Sequence, residues 1–436
     1  MAVSNAVAVS RINSVLDAGS FVEIGALVAG NGDGVVTGYG TIEGRLVYVY
    51  SQDASVLGGS IGELHAKKIS NIYNMALKMG APVLSFVDCA GVRITEGNDS
   101  LYSFGKVFAH QAKVSGVVPQ ITAVYGNCGG GMAVSAAMSD FIFMEKGGKL
   151  FVNSPNAVIG NYEEKLDTAS AEFNATKTGI VDAYGTEDEV AANIRELFDM
   201  LPLNNETALN DIECTDDLNR AVAGIEKMTK VEALKQIADD GKFFELKRGY
   251  TEGLKIGLLK LNGHTVGAVA NEKKSMCHKN MKKAIKFLRF CDAFNIPVVT
   301  LADVTEFDRT KHNEVNAAQA ASKLAFTYAS LTVPTVTIAT GEVYGTAGIV
   351  MGSKSLGVDL YYAWTNAKMG IMDKASLDKL TDANKDKDVY SANYNAERGY
   401  VDEIITPAET RQRLAAAFEM LYSKDVAMPL RKHGTV

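Results

Sequence analysis

The hydrophobic positions of this chain follow the same succession of patterns twice. Two alternating runs joined by Glu43-Gly44, over residues 35–53, predict a β-hairpin. The segment GLLKLNGHTVGAVANE, with Asn262-Gly263 at its centre, predicts a second hairpin. After each hairpin the pattern predicts a helix and then a buried strand: helices over 60–79 and 280–294, strands over 82–87 and 297–301.

The two halves are related by an offset of 215 residues. Residues 121–141 (ITAVYGNCGGGMAVSAAMSDF) and 336–360 (VTIATGEVYGTAGIVMGSKSLGVDL) both run from an apolar strand through a glycine-rich turn into a helix of small residues. We interpret this repeat as an internal duplication, with domains over 1–215 and 216–436 that meet in a polar segment, 201–217. The equivalent pairs are Pro82 and Pro297, Asp88 and Asp303, Gly126 and Gly341, and Gly130 and Gly345.

The order of elements in each half predicts an α/β fold. Right-handed crossovers would give each half a mostly parallel sheet with helices outside it. The loops that follow the buried strands would then lie together at the carboxyl ends of those strands, where such sheets bind ligands. Before the first hairpin, the pattern predicts a short helix over 11–21 and a strand over 21–28.

Composition limits the classes of function. With 47% hydrophobic residues, 22% charged residues and a net charge of -7, the chain is typical of a globular protein and unlike a non-specific nucleic-acid binder. We find no signal peptide and no apolar run of the roughly 20 residues that a membrane span needs. Five cysteines without C-x-x-C spacing indicate reduced thiols and a cytoplasmic location.

The glycine-rich turns are the strongest candidates for chemistry. A strand that ends in small residues and leads directly into a helix leaves backbone N–H groups without acceptors at the positive end of the helix. Such a turn can bind an oxyanion. Neither GNCGGGMA nor GEVYGTAG has the lysine and hydroxyl of a phosphate-binding loop, and the dinucleotide fingerprint is absent. The alternative is that the glycines only let the helix pack closely on the sheet.

Side chains offer fewer candidates. Asp88 and Asp303 could form a carboxylate pair, but their position at strand ends favours capping of the turn that follows. Arg93 and Glu96 are predicted to form an ion pair that orders their loop. The basic stretch 273–286 is consistent with a solvated helix face or with attraction of a phosphorylated ligand. The six histidines show no ligand spacing, so we predict no metal site and assign catalysis to the backbone.

Several segments in order carry a resemblance to a known family. The segments are DGVVTGYGTIEGRLVYVYSQD, LGGSIGELHAKKI, DCAGVRITEG, GNCGGG and NAERGYVDEII with the terminal KHG. They resemble the carboxyltransferase subunits of biotin-dependent acyl-CoA carboxylases and decarboxylases, of the propionyl-CoA carboxylase beta type. The resemblance implies two tandem crotonase-like ββα domains, and hexamers whose active sites lie between one subunit's N-terminal domain and another's C-terminal domain.

The resemblance also implies particular site residues. The amides of Gly130 and Gly131 would hold the acyl-CoA thioester oxygen in the N-terminal domain, with Gly129 beside them. In the C-terminal domain the matching motif is Tyr344-Gly345-Thr346-Ala347, and the amides of Thr346 and Ala347 would face the ureido oxygen of biotin. Threonine stands here where the family has glycine, which restricts φ and crowds the approach. Ile349, where many propionyl-type members carry aspartate, would lie at the acyl pocket.

The family mechanism needs no side-chain base. Carboxybiotin loses CO2, the biotin anion takes the α-proton of the acyl-CoA, and the enolate attacks the CO2. The chain has no biotin-attachment Met-Lys-Met and no ATP-binding carboxylase segment, so a biotin carboxyl carrier and a biotin carboxylase are expected as separate subunits. Domain 1–215 would be the acyl-CoA side and domain 216–436 the biotin side.

Two rival interpretations stay open at this point. The chain could be the carboxyltransferase subunit of a biotin-dependent decarboxylase, which would run the reaction in reverse. It could also be a non-catalytic subunit that binds acyl-CoA in an assembly. The second rival would account for departures in the C-terminal half, where Thr305-Glu306-Phe307-Asp308 and the sequence ending at Lys323 replace the family's Pro-Gly-Phe and basic helix.

Overall fold

The structure of the protein is a computed structural model that describes residues 6–207, 213–381, 388–426, 428–430 and 434–436. The chain folds into two compact units, Met1–Thr207 (unit 1) and Ala208–Val436 (unit 2). The predicted boundary, between 215 and 216, is a few residues further along the same polar segment. Within these described ranges no helix combines the length and the apolarity that crossing a membrane requires.

Unit 1 is built on a sheet in which, among the described residues, eight strands pair in the order β1-β2-β3-β4-β5-β6-β8, with β7 pairing β5. The strands are β1 (Val22–Glu23), β2 (Val35–Ile42), β3 (Arg45–Gln52), β4 (Val83–Cys89), β5 (Gln120–Gly129), β6 (Phe141–Glu145), β7 (Lys149–Phe151) and β8 (Ala183–Gly185). The helices are α1 (Ala6–Val15), α2 (Glu63–Met79), α3 (Asn98–Val114), α4 (Gly131–Ala137), α5 (Asn161–Glu164), α6 (Ala171–Phe173) and α7 (Glu187–Met200).

Unit 2 repeats this plan, and its described strands pair in the order β18-β16-β15-β13-β11-β10-β9, with β17 pairing β15 and a separate small sheet of β12 and β14. The strands are β9 (Phe243–Leu246), β10 (Leu254–Leu261), β11 (His264–Asn271), β12 (Ser275–Met276), β13 (Val298–Val304), β14 (Glu306–Phe307), β15 (Thr335–Tyr344), β16 (Leu360–Trp364), β17 (Lys368–Gly370) and β18 (Glu403–Ile405). The helices are α8 (Lys230–Ile237), α9 (His278–Ala293), α10 (Lys311–Ala329), α11 (Gly345–Val350), α12 (Lys374–Leu380), α13 (Ala392–Glu397) and α14 (Thr410–Leu421).

The two predicted hairpins are present, and their turns explain why. Glu43 and Gly44 both have positive φ (52° and 73°), as do Asn262 and Gly263 (54° and 75°). This is the conformation that a two-residue hairpin turn requires and that glycine and asparagine accept most readily. The hairpin strands pair antiparallel, whereas β3, β4, β5 and β6 pair parallel, as the crossover argument predicts.

The first elements differ from the prediction. The helix covers Ala6–Val15 rather than 11–21, and the strand predicted over 21–28 is reduced to Val22–Glu23. Asp17 does not continue the helix, because its amide donates to the carbonyl oxygen of Thr41 at 2.8 Å. Its carboxylate accepts hydrogen bonds from the amides of Glu43 and Gly44 at 3.0 and 2.9 Å. Gly25, with φ at 80°, then turns the chain out of the strand.

The longest strand of each unit changes its neighbour partway. In β5, residues 121–124 pair with β6 and residues 127–129 pair with β7. The pairing with β4 is interrupted at the same place, because Val87 pairs with Val124 but Cys89 pairs with Cys128. One residue of β4, Asp88, therefore faces three residues of β5, and this bulge turns the end of β5 toward the helix that follows.

Candidate active site

The glycine turn of unit 1 joins β5 to α4. Gly130 has φ 58° and ψ -122°, a conformation that residues with a side chain rarely adopt. Its amide donates a hydrogen bond to the carbonyl oxygen of Phe151 on β7 at 2.9 Å. Gly131 and Met132 are the first helical residues, and in the part of the chain that the structure describes their amides have no acceptor. The turn therefore presents two free N–H groups.

The glycine turn of unit 2 has the same backbone course. Gly345 has φ 58°, as Gly130 has, and it begins α11 directly after Tyr344. A side chain at Gly345 would place its Cβ 3.0 Å from the carbonyl oxygen of Ile371, so the close approach also requires glycine. Within the described ranges the amides of Thr346 and Ala347 have no acceptor.

The two amide pairs predicted as oxyanion donors, Gly130 with Gly131 and Thr346 with Ala347, therefore do not occupy equivalent positions of the repeat. The pair in unit 1 begins one residue earlier than the pair in unit 2. The offset of 215 makes Thr346 equivalent to Gly131 and Ala347 equivalent to Met132. Gly130, predicted as a donor to substrate, has its amide engaged by Phe151. In unit 1 the residues that match Thr346 and Ala347 are Gly131 and Met132. The motifs in the sequence did not identify Met132 as a donor. Subtracting the repeat offset of 215 from Ala347 would have identified it.

Glycine backbone from three segments of the chain lies around the turn of unit 1. A Cβ on Gly59 would lie 2.0 Å from the carbonyl oxygen of Asp88, which shows how closely the loop after β3 packs on the end of β4. A Cβ on Gly129 would lie 3.0 Å from the carbonyl oxygen of Ala90, and one on Gly91 would lie 3.4 Å from the carbonyl oxygen of Gly129. These glycines therefore pack closely on backbone atoms, and the ring of Phe151 also lies 3.0 Å from the Cβ position of Gly129.

Polar side chains occupy the equivalent places in unit 2. Lys274 stands where unit 1 has Gly59, and it forms an ion pair with Glu342. The hydroxyl of Tyr344, which stands where unit 1 has Gly129, donates to the other oxygen of Glu342 at 3.2 Å. The hydrogen bond from Lys274 lowers the pKa of Glu342, and burial raises the pKa of Tyr344. This carboxylate therefore stays ionised and the phenol stays protonated near neutral pH.

A cavity of about 640 Å³ opens beside the turn of unit 2. Gly345, Thr346 and Ile349 line it on one side. Tyr390 lines it on another, and its buried hydroxyl has no hydrogen-bond partner among the described residues. At the edge, the guanidinium of Arg398 lies 4.5 Å from the centroid of the Tyr394 ring. Arg398 lies in the segment NAERGYVDEII, which carries the family resemblance, whereas no pattern in the sequence indicated Tyr390 or Tyr394.

The other polar candidates have structural partners. Asp88 and Asp303 accept hydrogen bonds from the amides of Asn127 and Glu342 on the neighbouring strand, at 3.1 and 2.9 Å, so neither caps the turn that follows it. The predicted ion pair of Arg93 with Glu96 is confirmed at 3.1 Å.

In the basic stretch 273–286, Lys283 is buried and donates to three backbone carbonyl oxygens at 2.9 to 3.1 Å. That part of the stretch is therefore not a solvated face. Within the described ranges, no group of three or more histidine, cysteine or acidic side chains is arranged to hold a metal ion.

Comparison with known proteins identifies the family. Residues 2–436 match the carboxyl transferase domain family. The propionyl-CoA carboxylase beta chain of Roseobacter denitrificans is 38% identical over 471 residues, which cover 98% of this chain and 92% of that protein. The human mitochondrial propionyl-CoA carboxylase beta chain is 35% identical over 469 residues, which cover 98% of this chain and 87% of that protein.

A solved structure extends the likeness to the fold. Transcarboxylase 12S, described as a hexamer assembly with hydrolysed methylmalonyl-coenzyme A bound, superposes with a TM-score of 0.92 at 33% identity, covering 98% of this chain and 92% of that one. The predicted α/β fold with two tandem crotonase-like domains is confirmed. The chain therefore belongs to the carboxyl transferase family and is an enzyme of the propionyl-CoA carboxylase beta type.

Proposed function

We propose that this chain transfers a carboxyl group between carboxybiotin, carried on a separate protein, and an acyl-CoA thioester. The observation that carries the proposal is the pair of free amides, Gly131 and Met132, at the N-terminus of α4. Two N–H donors at the positive end of a helix stabilise the oxygen of a thioester as it becomes an enolate. The absence of side chains on the glycines around them leaves room for that thioester.

Unit 1 is proposed as the acyl-CoA side. Its turn lies among backbone segments at Gly59, Gly91 and Gly129, and a flat thioester can approach backbone more closely than it can approach side chains. The acyl-CoA named for the relatives is propionyl-CoA, and the transcarboxylase structure holds hydrolysed methylmalonyl-coenzyme A. We therefore propose a short-chain acyl-CoA as the substrate of this chain.

Unit 2 is proposed as the biotin side, with carboxybiotin as a substrate rather than a resident cofactor. A ureido group presents a carbonyl oxygen and N–H groups. The amides of Thr346 and Ala347 are free donors for the oxygen, and the buried, unpartnered hydroxyl of Tyr390 offers a hydrogen-bonding group in the same cavity. The apolar lining around Ile349 fits the hydrocarbon part of the ligand.

The chain's own contribution to the chemistry is electrostatic. Carboxybiotin supplies the CO2 and, after losing it, the base. Glu342 is bound to Lys274 and Tyr344, so it is poorly placed to remove a proton from carbon. The free amides of the two turns instead place partial positive charge at the oxygens where negative charge develops. This division of labour needs no metal and no catalytic histidine from this chain.

The assembly is proposed to follow the relatives. Propionyl-CoA carboxylase beta chains are named as parts of a carboxylase, and transcarboxylase 12S is a hexamer. We propose a homohexamer that works with a biotin carboxyl carrier and a biotin carboxylase on other chains. The five cysteines are free, which supports a reducing, cytoplasmic setting. Light scattering of the purified chain at micromolar concentration tests the hexamer, and an active monomer contradicts it.

The decisive experiment measures transfer with simple substrates. The full chain is incubated with methylmalonyl-CoA and free biotin, and formation of propionyl-CoA and carboxybiotin is followed. We expect turnover that depends on biotin. Binding of CoA without turnover would support the non-catalytic alternative. Net decarboxylation, together with genes for membrane proteins next to the gene of this chain, would support the decarboxylase alternative. Protection from hydrogen exchange by CoA should be found in unit 1.

A further inference from the structure

A carboxylate fills the strand bulge that precedes each glycine turn. In unit 1, Asp88 on β4 faces residues 125–127 of β5, where the pairing of the two strands is interrupted. In unit 2, Asp303 faces residues 340–342 of β15 in the same way, because Ala302 pairs with Ala339 and Val304 pairs with Val343. The same irregularity, with the same residue type opposite it, therefore occurs in both copies.

The carboxylate and the bulge fit each other closely. Oδ1 of Asp88 accepts the amide of Asn127 at 3.1 Å, and Oδ1 of Asp303 accepts the amide of Glu342 at 2.9 Å. A Cβ on Gly126 would lie 2.1 Å from Oδ1 of Asp88, and a Cβ on Gly341 would lie 2.5 Å from Oδ1 of Asp303. Each carboxylate therefore rests against a glycine Cα, and only glycine fits there.

A cation from the first helix of the unit stands near each carboxylate. Nη1 of Arg11 on α1 lies 3.2 Å from Oδ2 of Asp88, and its guanidinium lies 5.0 Å from the centroid of the Tyr125 ring. In unit 2, Nζ of Lys230 on α8 donates to Oγ1 of Thr340 at 2.9 Å. Burial lowers the pKa of Lys230, and the charge of Asp303 partly offsets that effect.

The bulge lies directly before the free amides. The amide of residue 127 is fixed by Asp88, residues 127–129 then pair with β7, and Gly130 donates to Phe151 at the end of that pairing. The position of the Gly131 amide therefore depends on the direction of the last residues of β5, which the bulge determines. Displacements of about 1 Å at a reacting centre can cost on the order of a hundredfold in rate.

We propose that Asp88 and Asp303 are positioning residues that aim the free amides of the two glycine turns. Asp88 sets the Gly131 and Met132 amides, and Asp303 sets the Thr346 and Ala347 amides. The consequence for catalysis rests on the proposed function, because it assumes that these amides contact the reacting oxygens. The geometric part, that each carboxylate fixes its turn, stands apart from it.

The test compares three variants of the full chain. Asp88→Ala removes the acceptor, Asp88→Asn keeps an oxygen that can accept the Asn127 amide, and Asp140→Ala is the matched control. Asp140 accepts the amide of Gln120 at 2.8 Å, at the opposite end of the same strand. With methylmalonyl-CoA and free biotin, Asp88→Ala should lower kcat about 10- to 100-fold with KM within about threefold. Asp88→Asn and Asp140→Ala should keep kcat within about threefold.

Amide hydrogen exchange supplies a readout that does not need activity. Residues 126–131 should exchange faster in Asp88→Ala than in the parent chain and the Asp140→Ala control, and Asp303→Ala should do the same to residues 341–346. If the parent chain transfers no carboxyl group, the proposed function fails while the exchange result still decides the positioning role. Unchanged exchange in Asp88→Ala, or equal loss of kcat in Asp88→Ala and Asp140→Ala, overturns the inference. Should Asp88→Ala fail to fold, Gly126→Ala, which pushes a Cβ against the carboxylate, is expected to give the same exchange pattern.

Discussion

The amide of Gly130 and the carbonyl oxygen of Phe151 are joined by a hydrogen bond of 2.9 Å. This bond ties the glycine turn of unit 1 to β7, and it determines which amides remain free for a ligand. Because the Gly130 amide is used, the donors available at the turn begin at Gly131.

Filling the Gly131 position should abolish most of the activity. A Cβ there would lie 3.0 Å from the ring of Phe104, so Gly131→Val must shift the amide or the ring. Its branches would also enter the space proposed for the thioester. Loss of one oxyanion donor costs about 10²- to 10³-fold in kcat, and we expect Gly131→Val to lower kcat by that factor or to bring the activity below detection. Thr346→Gly is the comparison, with an expected change of less than about tenfold. Near-normal transfer by a Gly131→Val protein that melts normally would favour the packing interpretation of these glycines.

Alanine at Gly130 should cost stability through the backbone alone. No heavy atom lies within 4 Å of a Cβ built on this residue, so no clash contributes. With φ at 58° and ψ at -122°, we expect Gly130→Ala to destabilise the protein by about 1–3 kcal/mol. Gly105, in the interior of α3, also has free space around a Cβ, and Gly105→Ala should raise stability by up to about 1 kcal/mol. Thermal melts that move both variants in the same direction would contradict this.

Removal of the Arg411 side chain should strongly destabilise unit 2. It is fully buried, and its guanidinium lies 2.7 Å from Asp239 and 3.3 Å from Asp216. Arg411→Ala leaves the buried carboxylate of Asp239 without its cationic partner, and we expect a loss of about 3–5 kcal/mol. Arg413→Ala, which removes a partly exposed partner of Glu403, should cost less than about 1 kcal/mol.

The single tryptophan of the chain makes this measurement selective. Trp364 lies in unit 2, and its indole N–H donates to Oγ1 of Thr410, the residue before Arg411, at 3.0 Å. Urea unfolding followed by tryptophan fluorescence therefore reports on unit 2. Equal midpoints for Arg411→Ala and Arg413→Ala would show that the buried network contributes little.

His65 should make unit 1 less stable in acid. Its ring is fully buried between the carbonyl oxygen of Asp33, at 2.9 Å, and the side-chain amide nitrogen of Gln52, at 3.2 Å. Burial lowers the pKa of His65 from 6.5 to about 3. Between those two pH values the unfolded chain binds a proton that the folded chain does not, so stability falls as the pH is lowered, by at most about 1.4 kcal/mol per pH unit.

A substitution taken from the other unit tests this pH dependence. The residue equivalent to His65 in unit 2 is Asn280, so His65→Asn introduces a residue that the fold accepts there. The difference between melting temperatures at pH 7 and pH 4.5 should be smaller in His65→Asn than in the parent chain. His110→Asn, at a partly exposed ring, should leave that difference unchanged. An identical pH difference in all three proteins would contradict the assignment.

Local features of this fold could be predicted from the sequence. The hairpin turns at Glu43-Gly44 and Asn262-Gly263 follow from their own backbone preferences, and so does the end of α2, where Gly80 adopts φ 58° and ψ 42°. The repeat with its offset of 215 residues located both glycine turns and made the family resemblance specific.

Features that depend on distant pairing could not be predicted. Whether the Gly130 amide is free depends on Phe151, which reaches it only because β5 changes neighbour from β6 to β7. The proposed positioning role of Asp88 depends on the same bulge, and no local pattern of hydrophobic residues in the sequence predicts that bulge. Tyr390 lines the cavity of unit 2, but tertiary contacts position its segment, and the periodicity of that segment does not predict where it lies.

The proposed use of backbone amides as oxyanion donors has a practical consequence for mutagenesis. Every ordinary substitution keeps the N–H of the residue it replaces, so an alanine scan would pass over the proposed donors and would record only crowding or unfolding. Proline alone deletes the donor. Gly131 occupies the first position of α4, where proline is tolerated because the helix makes no use of that N–H. Enzymes of this construction can therefore change many side chains around the reacting atoms while the catalytic groups themselves stay chemically the same.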